Sequence, residues 1–88
     1  MRVHPALSRY IGTNDPRRAV VGMTVQELGA VVRLARKQQG LDQLLLADLA
    51  GVSDRFLRDL EHGKPTVRLK EVLRVLDALG LTLQVQPR

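Results

Sequence analysis

Residues 50–63 read AGVSDRFLRDLEHG. Gly51 interrupts whatever precedes it, Ser53 stands where a helix cap belongs, and Gly63 is a stop. Between cap and stop, Phe56, Leu57 and Leu60 share one side of a helix. Arg55, Arg58 and His62 lie opposite, flanked by Asp54 and Asp59. Local chemistry alone makes this a solvated face, with Asp54–Arg58 and Arg55–Asp59 as i,i+4 ion pairs of roughly 0.2–0.5 kcal/mol each. Whether the same face also reads a partner depends on its surroundings.

Upstream, Asp42 is an N-cap for a short helix from Gln43 to Ala50. Small residues Ala47, Ala50 and Gly51 let this helix approach the next one closely, with Val52, Leu57 and Leu60 turned inward beside Leu46. Further upstream, Thr24-x-x-Glu27 is a capping box, and Met23 with Leu28 forms a hydrophobic staple around it. Leu28, Val31, Val32 and Ala35 then repeat at helical spacing until Gly40. Downstream of Pro65 a fourth helix starts near residues 67–69, with Leu69, Val72, Leu73, Leu76 and Leu79 expected on one face and Gly80 as its end. The stretch LTLQVQ at 81–86 alternates apolar and polar residues, a strand signal. A lone strand leaves its backbone groups unpaired. Pairing with the same strand of a second copy, through Leu81, Leu83 and Val85, is the expected solution, and a tail laid over the core is the other.

Two short helices joined by a tight glycine turn, behind a longer first helix, form a helix-turn-helix pattern. Residues 1–22 are set apart from it: Pro5, Gly12, Asn14, Asp15, Pro16 and Gly22 leave no periodicity. We expect a flexible basic N-terminal arm over 1–22, a helix-turn-helix domain over 23–80, and a dimerisation strand and tail over 81–88. Arg17-Arg18 in the arm either contacts phosphates or a minor groove, or belongs to a plain leader.

Composition agrees with one small domain. The 88 residues carry a formal net charge of +5 and a sequence pI of about 10.8, a balance suited to a polyanionic partner. The arm holds four Arg and one Asp, net +3, which leaves +2 for residues 23–88. A binding face in the folded part must therefore come from local arrangement. The absence of Cys excludes disulfides and thiolate metal sites, and His4 and His62 lack ligand spacing, so no metal or other cofactor is expected. No apolar run is long enough for a membrane span and no secretory signal is visible, so the expected location is cytoplasmic, at the nucleoid. No nucleophile–base set and no glycine-rich phosphate loop occurs, which makes an enzyme the weakest class.

The stretch LARKQQGLDQLLLADLAGVSDRFLRDLEHGKPTVRL resembles the Xre/Cro-type phage-repressor helix-turn-helix. With RVLDALGL and the strand signal behind it, the chain is most similar to antitoxins of the HipB type. The residues that carry the resemblance are Gly40-Leu41-x-Gln43, Leu46-Ala47, Gly51-Val52-Ser53, Leu57 and Leu60-Glu61-x-Gly63, within residues 24–86. It implies an all-α fold of four or five helices with a C-terminal strand paired across a homodimer. It also implies repression of the protein's own operon through palindromic operator DNA, and neutralisation of a HipA-type Ser/Thr kinase toxin.

With that context the outward face of the third helix becomes a recognition face for a major groove. Arg55 and Arg58 can each take guanine O6 and N7, and Asp54 either accepts from cytosine N4 or steadies Arg58. Ser53 and Gln43, at helix N-termini, are candidates for phosphate contact, and the resemblance puts Gln43 at a phosphate or base edge. Lys64 is either a phosphate contact or an ordinary exposed lysine. The resemblance further implies a structural salt bridge between Arg36 and Glu61, serving stability rather than readout. Leu44 and Leu45 depart from the family pattern, where polar or acidic residues are usual. Their apolar surface could face the toxin, a second protomer, or nothing. Two alternatives to the antitoxin stay open: a stand-alone Xre-type regulator, and an interaction module that sequesters a kinase with little DNA binding.

Overall fold

A computed structural model describes residues 23–85 and 87. The arm expected over 1–22, with Arg17 and Arg18, lies outside the described residues. Four helices follow in order: α1 Val25–Gln38, α2 Gln43–Ala50, α3 Asp54–Glu61 and α4 Leu69–Ala78.

Each of the first three starts on the residue whose side chain can cap it. Thr24 accepts from the Glu27 N–H at 3.1 Å, Asp42 from the Leu45 N–H at 2.8 Å, and Ser53 from the Phe56 N–H at 3.0 Å. The capping box at α1 closes differently from expectation. The Thr24 hydroxyl donates to Glu27 Oε1, so the carboxylate meets the side chain of the cap. The fourth helix begins at Arg68 with no side-chain cap bond.

The packed pairs are α1 with α3, α2 with α3, and α2 with α4. Val31, Val32, Leu46, Leu57, Leu60, Val72, Val75, Leu76 and Leu79 are fully enclosed between them. Fully burying one such side chain is worth about 1.5–3 kcal/mol, so this cluster is the main source of stability. Phe56 and Val52 pack partly against it. The buried stripe of α4 differs from the expected one. Val75 is in the core, whereas Leu69 and Leu73 are 62% and 45% exposed. The helix sits rotated so that Val72, Val75, Leu76 and Leu79 face inward.

The strand expected from Leu81 onward is one that pairs with a second copy of the chain. No strand forms among the described residues. Within one chain Leu81 is 7% exposed and packs on the protein's own core. Its N–H donates to the Leu76 carbonyl at 2.8 Å, and the Gly80 N–H donates to Asp77, which seals the end of α4. Only Leu83 and Val85, 38% and 93% exposed, remain on the surface.

Candidate nucleic-acid interface

The turn between α2 and α3 spans residues 51–53. Gly51 adopts φ 71° and ψ 32°, a left-handed conformation that residues with a Cβ rarely take. This lets the Val52 N–H return to the Ala47 carbonyl at 3.0 Å and turns the chain into Ser53 without a longer loop. α3 is therefore held by its cap at one end and by Leu57 and Leu60 beneath. Its opposite face, with Asp54, Arg55 and Arg58, is exposed.

On that face the two expected ion pairs fare differently. Arg58 Nη2 stands 3.9 Å from Asp54 Oδ2, with both side chains about half exposed. Such a loose, solvated pair adds little stability and leaves the guanidinium free to exchange its partner. Arg55 does not pair with Asp59. Asp59 is taken by Lys64, Nζ to Oδ2 3.4 Å. Lys64 thus reaches back over the last turn of α3 from the loop behind it.

An open cleft beside α3 is lined by Ser53, Arg55, Phe56, Lys64, Thr66 and Arg68 among others. It gathers three cationic side chains and two hydroxyls together with the carboxylates of Asp59 and Glu71, which pair with Lys64 at 3.4 Å and Arg68 at 3.7 Å. Thr66 and Arg68 escaped the sequence reading. They stand in a loop without periodicity, and only the fold brings them beside Ser53.

Behind the face sits a buried polar cluster. Arg36 Nε donates to Glu61 Oε2 at 2.7 Å and Arg36 Nη2 to Glu61 Oε1 at 2.9 Å, with side-chain exposures of 10% and 2%. This fork-on-fork geometry is the strongest form of the pair. The hydrogen bond to Glu61 is the main reason the Arg36 guanidinium is held above its ordinary pKa, against the opposing effect of burial. Arg36 Nη1 also donates to the Leu41 carbonyl at 2.9 Å, tying down the loop between α1 and α2. Gln43, the first residue of α2, does not project freely. Its Nε2 donates to Glu61 Oε1 at 3.1 Å.

The outer side of α2 is apolar as well as the inner. Leu44, Leu45 and Leu49 are 68%, 45% and 59% exposed, beside Asp48. Among the described residues no helix is long and apolar enough to cross a membrane, and no His, Cys, Asp or Glu cluster could hold a metal ion.

Residues 32–86, covering all of this architecture except the first half of α1, match the helix-turn-helix family HTH_3. The chain belongs to that family, of the Xre type. A member from Sinorhizobium fredii (strain NBRC 101917 / NGR234), the uncharacterized HTH-type transcriptional regulator y4mF, is 48% identical over 62 residues, 70% of this chain and 82% of its own length. Among solved structures, a chain of the HipA-HipB-O2-O3 complex superimposes with a TM-score of 0.69 over 75% of this chain and 93% of that one. At 21% identity this second likeness is one of fold. The helix-turn-helix framework explains why α2 and α3 are short while α1 is long. The first helix braces, and the other two present their N-terminal ends and one face of α3 to a single surface.

Proposed function

We propose that this protein is a sequence-specific DNA-binding repressor acting as a dimer, the antitoxin partner in a HipBA-like operon. The observation that carries the DNA part is the exposed face of α3. Asp54, Arg55 and Arg58 project from a helix whose other side is locked into the core and whose N-terminus is capped by Ser53. α3 enters the major groove with Arg55 and Arg58 as base readers. Ser53, Gln43, Lys64, Thr66 and Arg68 contact the flanking phosphates. Leu83 and Val85, exposed at the C-terminal end, pair with the same residues of a second copy. The dimer then addresses two half-sites about 34 Å apart.

Arg55→Ala and Arg58→Ala are each expected to lose about 1–3 kcal/mol on the preferred duplex and to relax selectivity at one base pair. Lys64→Ala is expected to weaken specific and random duplexes alike and to shallow the salt dependence. Duplexes selected from a random pool, followed by fluorescence anisotropy at several salt concentrations, measure both. Equal losses for Arg55→Ala and Arg58→Ala on selected and scrambled duplexes would sink the reading role.

The exposed leucines of α2 favour the second half of the proposal, a protein partner beyond DNA. A surface of Leu44, Leu45, Leu49 and Asp48 is unsuited to a phosphate backbone and suited to an apolar protein surface. Leu45→Lys with Leu49→Lys is expected to leave DNA affinity within twofold while releasing a co-expressed kinase from inhibition. Growth of cells carrying both proteins reads this directly. Continued neutralisation by the double variant would remove α2 from the kinase contact. A regulator without a toxin makes the same DNA contacts, and it is distinguished by the lack of a kinase reading frame beside its gene.

A further inference from the structure

Glu61 lies at the last position of α3, and its side chain, 2% exposed, is turned away from solvent. Its carboxylate nevertheless serves three donors. Two come from Arg36 and the third is the Gln43 amide, at 3.1 Å. The chemistry of that third bond fixes more than a distance. A carboxylate only accepts, so the Gln43 amide must turn its NH₂ end toward Glu61. The reversed orientation would set a carbonyl oxygen against the carboxylate. An NH₂ group has two hydrogens in one plane. With one committed to Glu61, the other has no protein partner among the described residues, and Gln43 stands half-buried at the N-terminal end of α2. Gln43 therefore keeps a second N–H to donate there, and a phosphate oxygen needs a donor.

We propose that Glu61 is a positioning residue for DNA binding: through the Gln43 amide it sets which atom α2 offers to the nucleic-acid backbone. This rests on the DNA-binding reading above. It also adds to the brace formed with Arg36 a second role, in affinity. The contact goes to phosphate and carries no base information, so affinity changes and sequence preference does not. Arg36 takes part by holding the carboxylate still. The loop carbonyl of Leu41, bonded to the same guanidinium, keeps the start of α2 in register with it.

Removing Glu61 alone leaves Arg36 buried without its partner, so Glu61→Gln is a poor probe. Arg36→Met with Glu61→Met replaces the pair by apolar groups of similar volume and removes the carboxylate while retaining the fold. Binding is measured on the duplex selected from a random pool and on its scrambled counterpart. Gln43→Ala is expected to weaken both about tenfold, the loss of one hydrogen bond to a charged group. The Met pair should weaken them by the same factor, and the triple variant should lose no more than either. Gln43→Glu, which sets carboxylate against carboxylate, should lose more than Gln43→Ala. The unaltered protein gives a readout independent of folding. One Gln43 Nε2 hydrogen should be protected from exchange in free protein, and the second should become protected only on addition of the duplex.

If the triple variant instead shows the product of the two separate losses, Glu61 does not act through Gln43 and the proposal fails. Equal exchange of both hydrogens in the free protein overturns it too. If the unaltered protein selects no duplex at all, the DNA-binding reading falls and takes the proposal with it. If Arg55→Ala weakens binding while Gln43→Ala does not, the DNA-binding reading stands and the positioning role alone is lost.

Discussion

Glu61→Ala is expected to unfold most of the protein at room temperature, a loss of about 3–5 kcal/mol. The direction follows from what stays behind. Arg36, 10% exposed in its side chain, would keep its charge and only the Leu41 carbonyl as partner. Gln43 would lose its acceptor at the same time. A domain of about 60 residues has roughly 3–9 kcal/mol of stability in total, so a loss of this size is close to all of it. The double change Arg36→Met with Glu61→Met should restore most of the stability, because it removes the desolvated charges together and fills their space. Urea titration followed by circular dichroism measures both. A Glu61→Ala midpoint within about 1 kcal/mol of the unaltered protein would mean that water replaces the carboxylate and that the cluster is not a brace.

Gly29→Ala is the second large effect, and ordinary helix preference gives it the wrong sign. Gly29 lies inside α1, where alanine is favoured over glycine by about 1 kcal/mol. Here a Cβ would overlap the Leu60 carbonyl oxygen and come within 3.0 Å of the Glu61 carbonyl oxygen. Both are backbone atoms of α3 and cannot swing aside. The two helices would have to separate, loosening Leu57 and Leu60 and stretching the Arg36–Glu61 bonds. Overpacking of this kind costs about 3 kcal/mol or more, which outweighs the gain in propensity. Gly40→Ala is the control. Nothing lies within 4 Å of its Cβ, and only φ of 70° opposes it, at about 1 kcal/mol. If thermal melting ranks Gly40→Ala as the more damaging of the two, α1 and α3 are not in close backbone contact.

These expectations show where the sequence could be read and where it could not. The caps at Thr24, Asp42 and Ser53 and the glycine turn at residue 51 are local chemistry, and they place α1, α2 and α3 almost to the residue. The stripe of α4 is not local. Leu69 and Leu73 repeat as well as Val72, Val75, Leu76 and Leu79 do, and only the position of α2 decides which set is covered. The alternation at 81–86 gives no hint that Leu81 also closes the end of α4, its N–H folding back on the Leu76 carbonyl. In the site, the outward set of Asp54, Arg55 and Arg58 follows from helical spacing. The meeting of Arg36 and Glu61, 25 positions apart, came from resemblance to a family and from nothing in the spacing. The bond from Gln43 to Glu61 and the tight seat of Gly29 had no signal in the sequence, because the first arises only where α2 meets α3 and the second only where α1 meets α3.

The way α2 is covered bears on how this chain folds as it is made. Its inner face packs against α3 and α4, so the segment from 43 to 50 has no complete shelter until residues near 81 are available. Synthesis delivers these at about 5–20 residues per second. For a few seconds the nascent chain exposes Leu46 and Ala47 together with the outer leucines. Once α4 emerges, the packed helices are neighbours or one helix apart in the chain, so the final collapse should take microseconds to milliseconds. The vulnerable period is therefore set by translation. Truncation before residue 81 would leave a polypeptide for proteases rather than a less stable domain.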